Sequence, residues 1–220
     1  RFGLNSIKGV SEKSLQSLKD FRSSDTPTKY DIFLAAKQAG LNIGVLSALI
    51  QAGALQSKGS NRSLMVLEAQ AFNLLTEREK RNFILLGEKY EYKLLNCISD
   101  AKKGELVGDD GKPLMKESRF KTFKKKYDVY KSIYDKNKPY ETFANWYFET
   151  ELLGYSHSSN LKSCFIDSYN SLLDSRDLKI MESDEKGKFI GVVDDCIKRT
   201  SRNGNKYMKL SISDEFGKYD

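Results

Sequence analysis

The chain has 220 residues, 39% hydrophobic and 30% charged, enough for one large or two to three small packed domains. No apolar run approaches the ~18 residues that cross a bilayer, and the widely spaced Cys97, Cys164 and Cys196 fit neither a disulfide framework nor a zinc site. A reducing, cytoplasmic setting without membrane contact is expected, and the formal charge of +7 points to a polyanionic partner.

Residues 1–75 read as short helices separated by glycine turns at Gly9, Gly40, Gly44, Gly53 and Gly59. In "NSIKGVSEKSLQSL" the apolar pair Ile7 and Val10 brackets a Lys8–Gly9 turn. A glycine there lets the backbone turn tightly and leaves amides at the start of the next helix without intrahelical partners. Such amides, at the positive end of the helix dipole, suit a phosphate. The same glycine also fits a plain helix C-cap. "LMVLEAQAFNLL" then predicts an amphipathic helix with Leu64, Leu67, Ala71 and Leu74 on one face.

In the middle of the chain, Phe83, Leu86, Tyr90, Leu94 and Cys97 recur at helical spacing and predict long helical structure. "GELVGDDGKP" is a hairpin-like break, and a further helix begins near Met115 and stops before Pro139. In that helix Phe120, Phe123, Tyr127, Tyr130 and Tyr134 recur at steps of three and four. The spacing predicts a packed aromatic face, with Lys121, Lys124, Lys125, Lys131 and Lys138 on the wet side.

From about Lys186 the period changes to that of strands, and Asn203–Gly204 marks a hairpin. The loop "KRTSRNGNK" holds Lys198, Arg199, Arg202 and Lys206, followed by Tyr207, with Lys209 on the same side of the strand. Two readings stand: a basic loop with Tyr207 stacking on a base, or a solvated tip with Phe189 and Tyr207 filling a barrel. The acidic pairs Asp109–Asp110, Asp194–Asp195 and Asp214–Glu215 fall in turns or at strand ends, and His157 in "YSHSSN" reads as part of a helix terminus. No phosphate loop or metal-spaced cluster is present, so neither catalysis nor a cofactor is expected from this segment.

"RFGLNSIKGVSEKSLQSL", followed by "KYDIFLAAKQAGLNIGVLSALIQAGALQSKGSNRSLM", resembles the tandem helix-hairpin-helix region of the bacterial or phage replicative DNA polymerase III alpha subunit, a C-family polymerase. Val45 to Ala54 matches a helix of that family, and Asn61–Arg62 matches its asparagine- or histidine-arginine pair. "ETELLGYSHSSNLKS" resembles the segment before the family's OB-fold, and "GKFIGVVDDCIKRTSRNGNKYMKLSISDEFGKYD" is similar to the opening strands of that fold. Two departures stand out: Ser11 replaces the second hairpin glycine, and the histidine-proline after the leucine-leucine-glycine segment is absent.

The resemblance implies a mainly α fold with a C-terminal β module. Residues 1–75 would form a tandem helix-hairpin-helix DNA-binding domain, 76–162 a helical extension or linker, and 163–220 the start of an OB-fold barrel. The function implied is the non-catalytic DNA-binding region of a replicative polymerase. Its candidate contacts are the amides of Gly9, Val10 and Ser11 with Lys8 and Lys13, then Asn42, Ile43 and Gly44. On the OB-like loop they are Lys198, Arg199, Arg202, Lys206 and Tyr207. Implied partners are double-stranded and single-stranded DNA as primer-template, with the sliding clamp and other replisome subunits. "QAFNLL", Gln70 to Leu75, loosely resembles a clamp peptide, although its helical pattern predicts burial. Nucleotidyltransferase chemistry and its magnesium are implied for the parent polymerase, of which this chain, opening on Arg1, is expected to be a piece. A replisome docking scaffold with incidental DNA contact is the alternative.

Overall fold

The computed structural model describes residues 6–24, 26, 28–55, 61–102, 104, 106–165, 171–182 and 184–219. Helices come first: α1 (Leu15–Arg22), α2 (Lys29–Gln38), α3 (Ile43–Gln51), α4 (Arg62–Asn73) and α5 (Glu77–Leu85). Local chemistry sets their ends. Thr28 and Thr76 form capping boxes with Asp31 and Glu79, while the Asn42 and Asn61 side chains accept from the N–H groups of Gly44 and Leu64. The α2 and α3 helices end on left-handed Gly40 (φ +71°) and Gly53 (φ +78°). There the N–H groups of Leu41 and Ala54 reach back to the carbonyls of Ala36 and Leu49. Gly44, expected in a turn, instead lies in the first turn of α3, and Gly59 is outside the described residues.

The helical run expected after Thr76 is broken. The α5 helix stops at Leu85, a 3-10 turn covers Glu88–Tyr90, and α6 begins at Leu94 and ends at Lys102. Gly87 keeps helical φ −54° and ψ −51°, but Tyr92 folds over it, and a Cβ there would stand 2.7 Å from the Tyr92 ring and 2.9 Å from the Ile84 carbonyl oxygen. The backbone then passes through left-handed Glu91 and Tyr92, where a side chain is rarely tolerated and the helix cannot continue. The "GELVGDDGKP" break is hairpin-like, with a Val107–Pro113 bridge clamped by Arg78, which donates to both Asp110 carboxylate oxygens.

The long α7 (Glu117–Asn137) and α8 (Glu141–Leu153) complete the helical body. The aromatic stripe of α7 faces inward as expected: Phe123 and Tyr127 are buried and stacked, while Phe120, Tyr130 and Tyr134 pack on the core edge. Its lysines line the wet side, where Lys121, Lys124 and Lys131 pair with carboxylates four residues away. One hydrophobic core runs from Ile7 to Tyr127, so the boundary expected at residue 75 falls between helices that share it. Within it the Lys29 ammonium meets Glu68 at 2.6 Å, and the other Glu68 oxygen accepts from the N–H of Leu94 at the start of α6. Gln70–Leu75, the clamp-like peptide, is built into α4 and its exit, with Phe72 and Leu75 buried.

Beyond α8 the strands are β1 (Leu172–Leu173), β2 (Lys188–Phe189), β3 (Val192–Thr200), β4 (Lys206–Asp214) and β5 (Gly217–Tyr219), with the short α9 (Ser175–Ile180) after β1. The β1 and β2 strands pair in parallel, and β3-β4-β5 form an antiparallel meander; among the described residues these strands do not close a barrel. Asp214 ties the meander to α9 by accepting from the N–H and hydroxyl of Ser175.

Candidate nucleic-acid interface

The first hairpin is a tight turn anchored at both ends. Ile7 and Val10 are buried, the Val10 N–H donates to the Ile7 carbonyl at 3.0 Å, and Gly9 sits at the third position with φ +90°. That conformation, and not crowding, requires glycine, since nothing lies within 4 Å of where its Cβ would stand. The three expected phosphate donors therefore do not behave alike. The Val10 amide closes the turn, a correction to the set read from sequence, whereas among the described residues the N–H groups of Gly9 and Ser11 donate to nothing. Ser11 is not in a left-handed conformation, so serine in place of the family's glycine imposes no backbone strain.

Immediately after the turn come a 3-10 turn (Glu12–Ser14) and α1, whose N-cap Ser14 makes no side-chain cap hydrogen bond. Lys13 is exposed and forms no ion pair with a described residue. Lys8 is exposed too, and its ammonium lies 3.5 Å from Glu151, a solvated pair worth little energetically.

The second hairpin has the opposite character. Asn42 caps α3, and its Oδ1 accepts from the Gly44 N–H at 2.7 Å. The carboxamide therefore occupies the position an anion would take, and Gly44 offers no open amide, contrary to the expectation for Asn42, Ile43 and Gly44 as a phosphate cradle.

The first hairpin and the α3–α4 connection are both fastened to the end of α8. The Lys8 N–H donates to the Leu152 carbonyl at 2.9 Å. Glu149, fully buried, takes the Arg62 guanidinium, the Ser156 hydroxyl and the N–H groups of His157 and Ser158, while His157 also meets the Ala52 carbonyl at 3.2 Å. Burial alone would raise the Glu149 carboxyl, but these donors outweigh it and bring its pKa down to about 2. Gly53 makes room for this tie, because a Cβ there would stand 2.5 Å from the Arg62 guanidinium. Sequence reading missed Glu149; the available signal was its place three residues before the leucine-leucine-glycine segment.

On the β module, Ser201–Asn205 form the hairpin, with left-handed Gly204 donating to the Ser201 carbonyl. Register separates the candidate residues. Arg199 pairs with Tyr207 and Ile197 with Lys209, so these four share one face, whereas Lys198 and Lys206 lie with Met208 on the other. Arg202 is at the tip. Tyr207 is 52% exposed, so of the two readings the ring stands in solvent and not in a packed interior.

The acidic pairs have protein partners: Arg78 and Arg81 hold Asp110 and Asp109, Ser213 donates to Asp194, and Glu215 accepts from the Leu161 N–H. Among the described residues no three His, Cys, Asp or Glu side chains are grouped to hold a metal, and no helix is long and apolar enough to cross a membrane.

Residues 1–65 match the helix-hairpin-helix motif family, whose motif suggests DNA as the partner. No curated protein and no solved structure matches the chain.

Proposed function

We propose that this chain is the DNA-gripping, non-catalytic part of a C-family replicative polymerase, holding a duplex phosphate at the first hairpin. The carrying observation is the pair of amides at Gly9 and Ser11, which donate to no described residue, beside Lys13, which pairs with none, just ahead of the 3-10 turn that leads into α1 inside the matched motif. Such a contact positions the duplex without reading its sequence. The polymerase assignment rests on the resemblance, and the segments that carry it meet in space: Lys8 and Arg62 both dock on the "ETELLG" stretch.

The β hairpin would hold single-stranded template on the face of Arg199, Tyr207 and Lys209. Its opposite face exposes Met208 and Leu210, which favours a second reading, docking of another replisome protein. Magnesium enters only with the parent polymerase.

The test is binding of the full chain to duplex, single-stranded and primer-template DNA across a salt series. Affinity for primer-template that falls steeply with salt, and drops in Gly9→Val/Lys13→Glu, supports the grip. Weak, salt-insensitive binding unchanged by that variant overturns it. Tyr207→Ala should lower single-strand affinity by ~1–3 kcal/mol if one base stacks there.

A further inference from the structure

Between α3, α4, α7 and α8 lies a cavity of about 250 Å³ that the hairpin function does not use. Its walls combine three rings, Tyr130, Tyr134 and Phe148, with the carboxamides of Gln51, Asn137 and Asn145. Those three carboxamides and both tyrosine hydroxyls make no hydrogen bond to any described residue. A fourth amide, Gln70, is held by the Ser47 hydroxyl at 3.1 Å. Arg62 reaches the wall, but its guanidinium is committed to Glu149 and the Gln51 carbonyl, so the cavity offers no open charge to an anion.

These features select a ligand chemistry. Rings favour a flat apolar face, and each carboxamide presents a donor beside an acceptor, the complement of a heterocycle edge. The missing charge argues against a phosphate or carboxylate inside. The volume equals the share of about eight waters at ~30 Å³ each, which suits one base with its sugar and not a base pair. We propose that this cavity binds a single unpaired nucleobase, delivered either as a free nucleoside or by a DNA single strand. The site stands apart from the hairpin grip and does not depend on it.

The test uses the full chain in saturation-transfer NMR with adenosine, guanosine, cytidine and thymidine in turn, and in fluorescence titration with a single strand carrying 2-aminopurine. Asn145→Leu and Gln51→Leu are compared with Gly9→Val, each checked by circular dichroism and cooperative unfolding for an intact fold. Transfer to at least one nucleoside, weakened about tenfold in a folded cavity variant and kept in Gly9→Val, supports the proposal with free nucleoside as the source. A 2-aminopurine response alone, lost in a folded cavity variant, supports delivery by the strand. Absence of both signals in the unmodified chain, or signals indifferent to both cavity variants, overturns it. Because Gly9→Val leaves the cavity intact, loss of duplex binding in that variant bears on the hairpin grip and not on this site.

Discussion

The two hairpins differ most where they are expected to be alike. The first leaves the Gly9 and Ser11 amides open before an α1 without a side-chain cap; the second fills the start of α3 with its own Asn42 carboxamide. A helix start has a fixed number of orphan donors, and a side-chain cap competes with an anion for them. Stability at the second hairpin is thus gained from groups that would otherwise face a phosphate. The first keeps them exposed and depends on buried Ile7 and Val10 for its shape.

The tie between the start of α4 and the end of α8 gives the largest predicted effect. Arg62→Ala leaves the Glu149 carboxylate buried without its cation and should cost ~3–5 kcal/mol in denaturant unfolding. A loss below about 1 kcal/mol would show that the helical body does not rely on this tie. The same site predicts an acid transition. The folded pKa of Glu149, about 2, lies below the ordinary 4.5, so its stabilisation is fully present above pH 4.5 and is lost as pH falls toward 2. That depression corresponds to roughly 3 kcal/mol, read as the difference in acid unfolding between the parent chain and Glu149→Gln.

Gly9→Val should cost ~1–2 kcal/mol, since the strain is in the backbone alone, and weaken duplex binding by about tenfold as the turn reshapes. Unchanged binding in the folded variant would remove the first hairpin from the interface. Asn42→Ala has the smallest effect, about 1 kcal/mol of stability from the lost cap, with duplex affinity unchanged or raised as the α3 amides open. A clear fall in affinity would mean that the Asn42 side chain itself touches DNA and that the two hairpins grip alike.

Much of the fold was legible because it follows from local rules. The φ > 0 glycines Gly9, Gly40 and Gly53 and the aromatic period of α7 each act over a few residues, so sequence shows them directly. The break at Gly87 was not legible, since it comes from Tyr92 folding back over the glycine. Asn42, Ile43 and Gly44 were read as a phosphate cradle like the first because sequence shows the glycine turn but not that the Asn42 carboxamide folds back onto the Gly44 N–H.

The sequence by itself determined the helix-turn pattern, the hairpin glycines and the late change to strands, because these depend on periodicity and turn chemistry. Only the tertiary structure decided which amides remain open, that Glu149 joins Arg62 across 87 residues, and that register puts Arg199 with Tyr207 but Lys206 on the opposite face. Those outcomes depend on where distant segments meet, and no local preference along the chain encodes that distance.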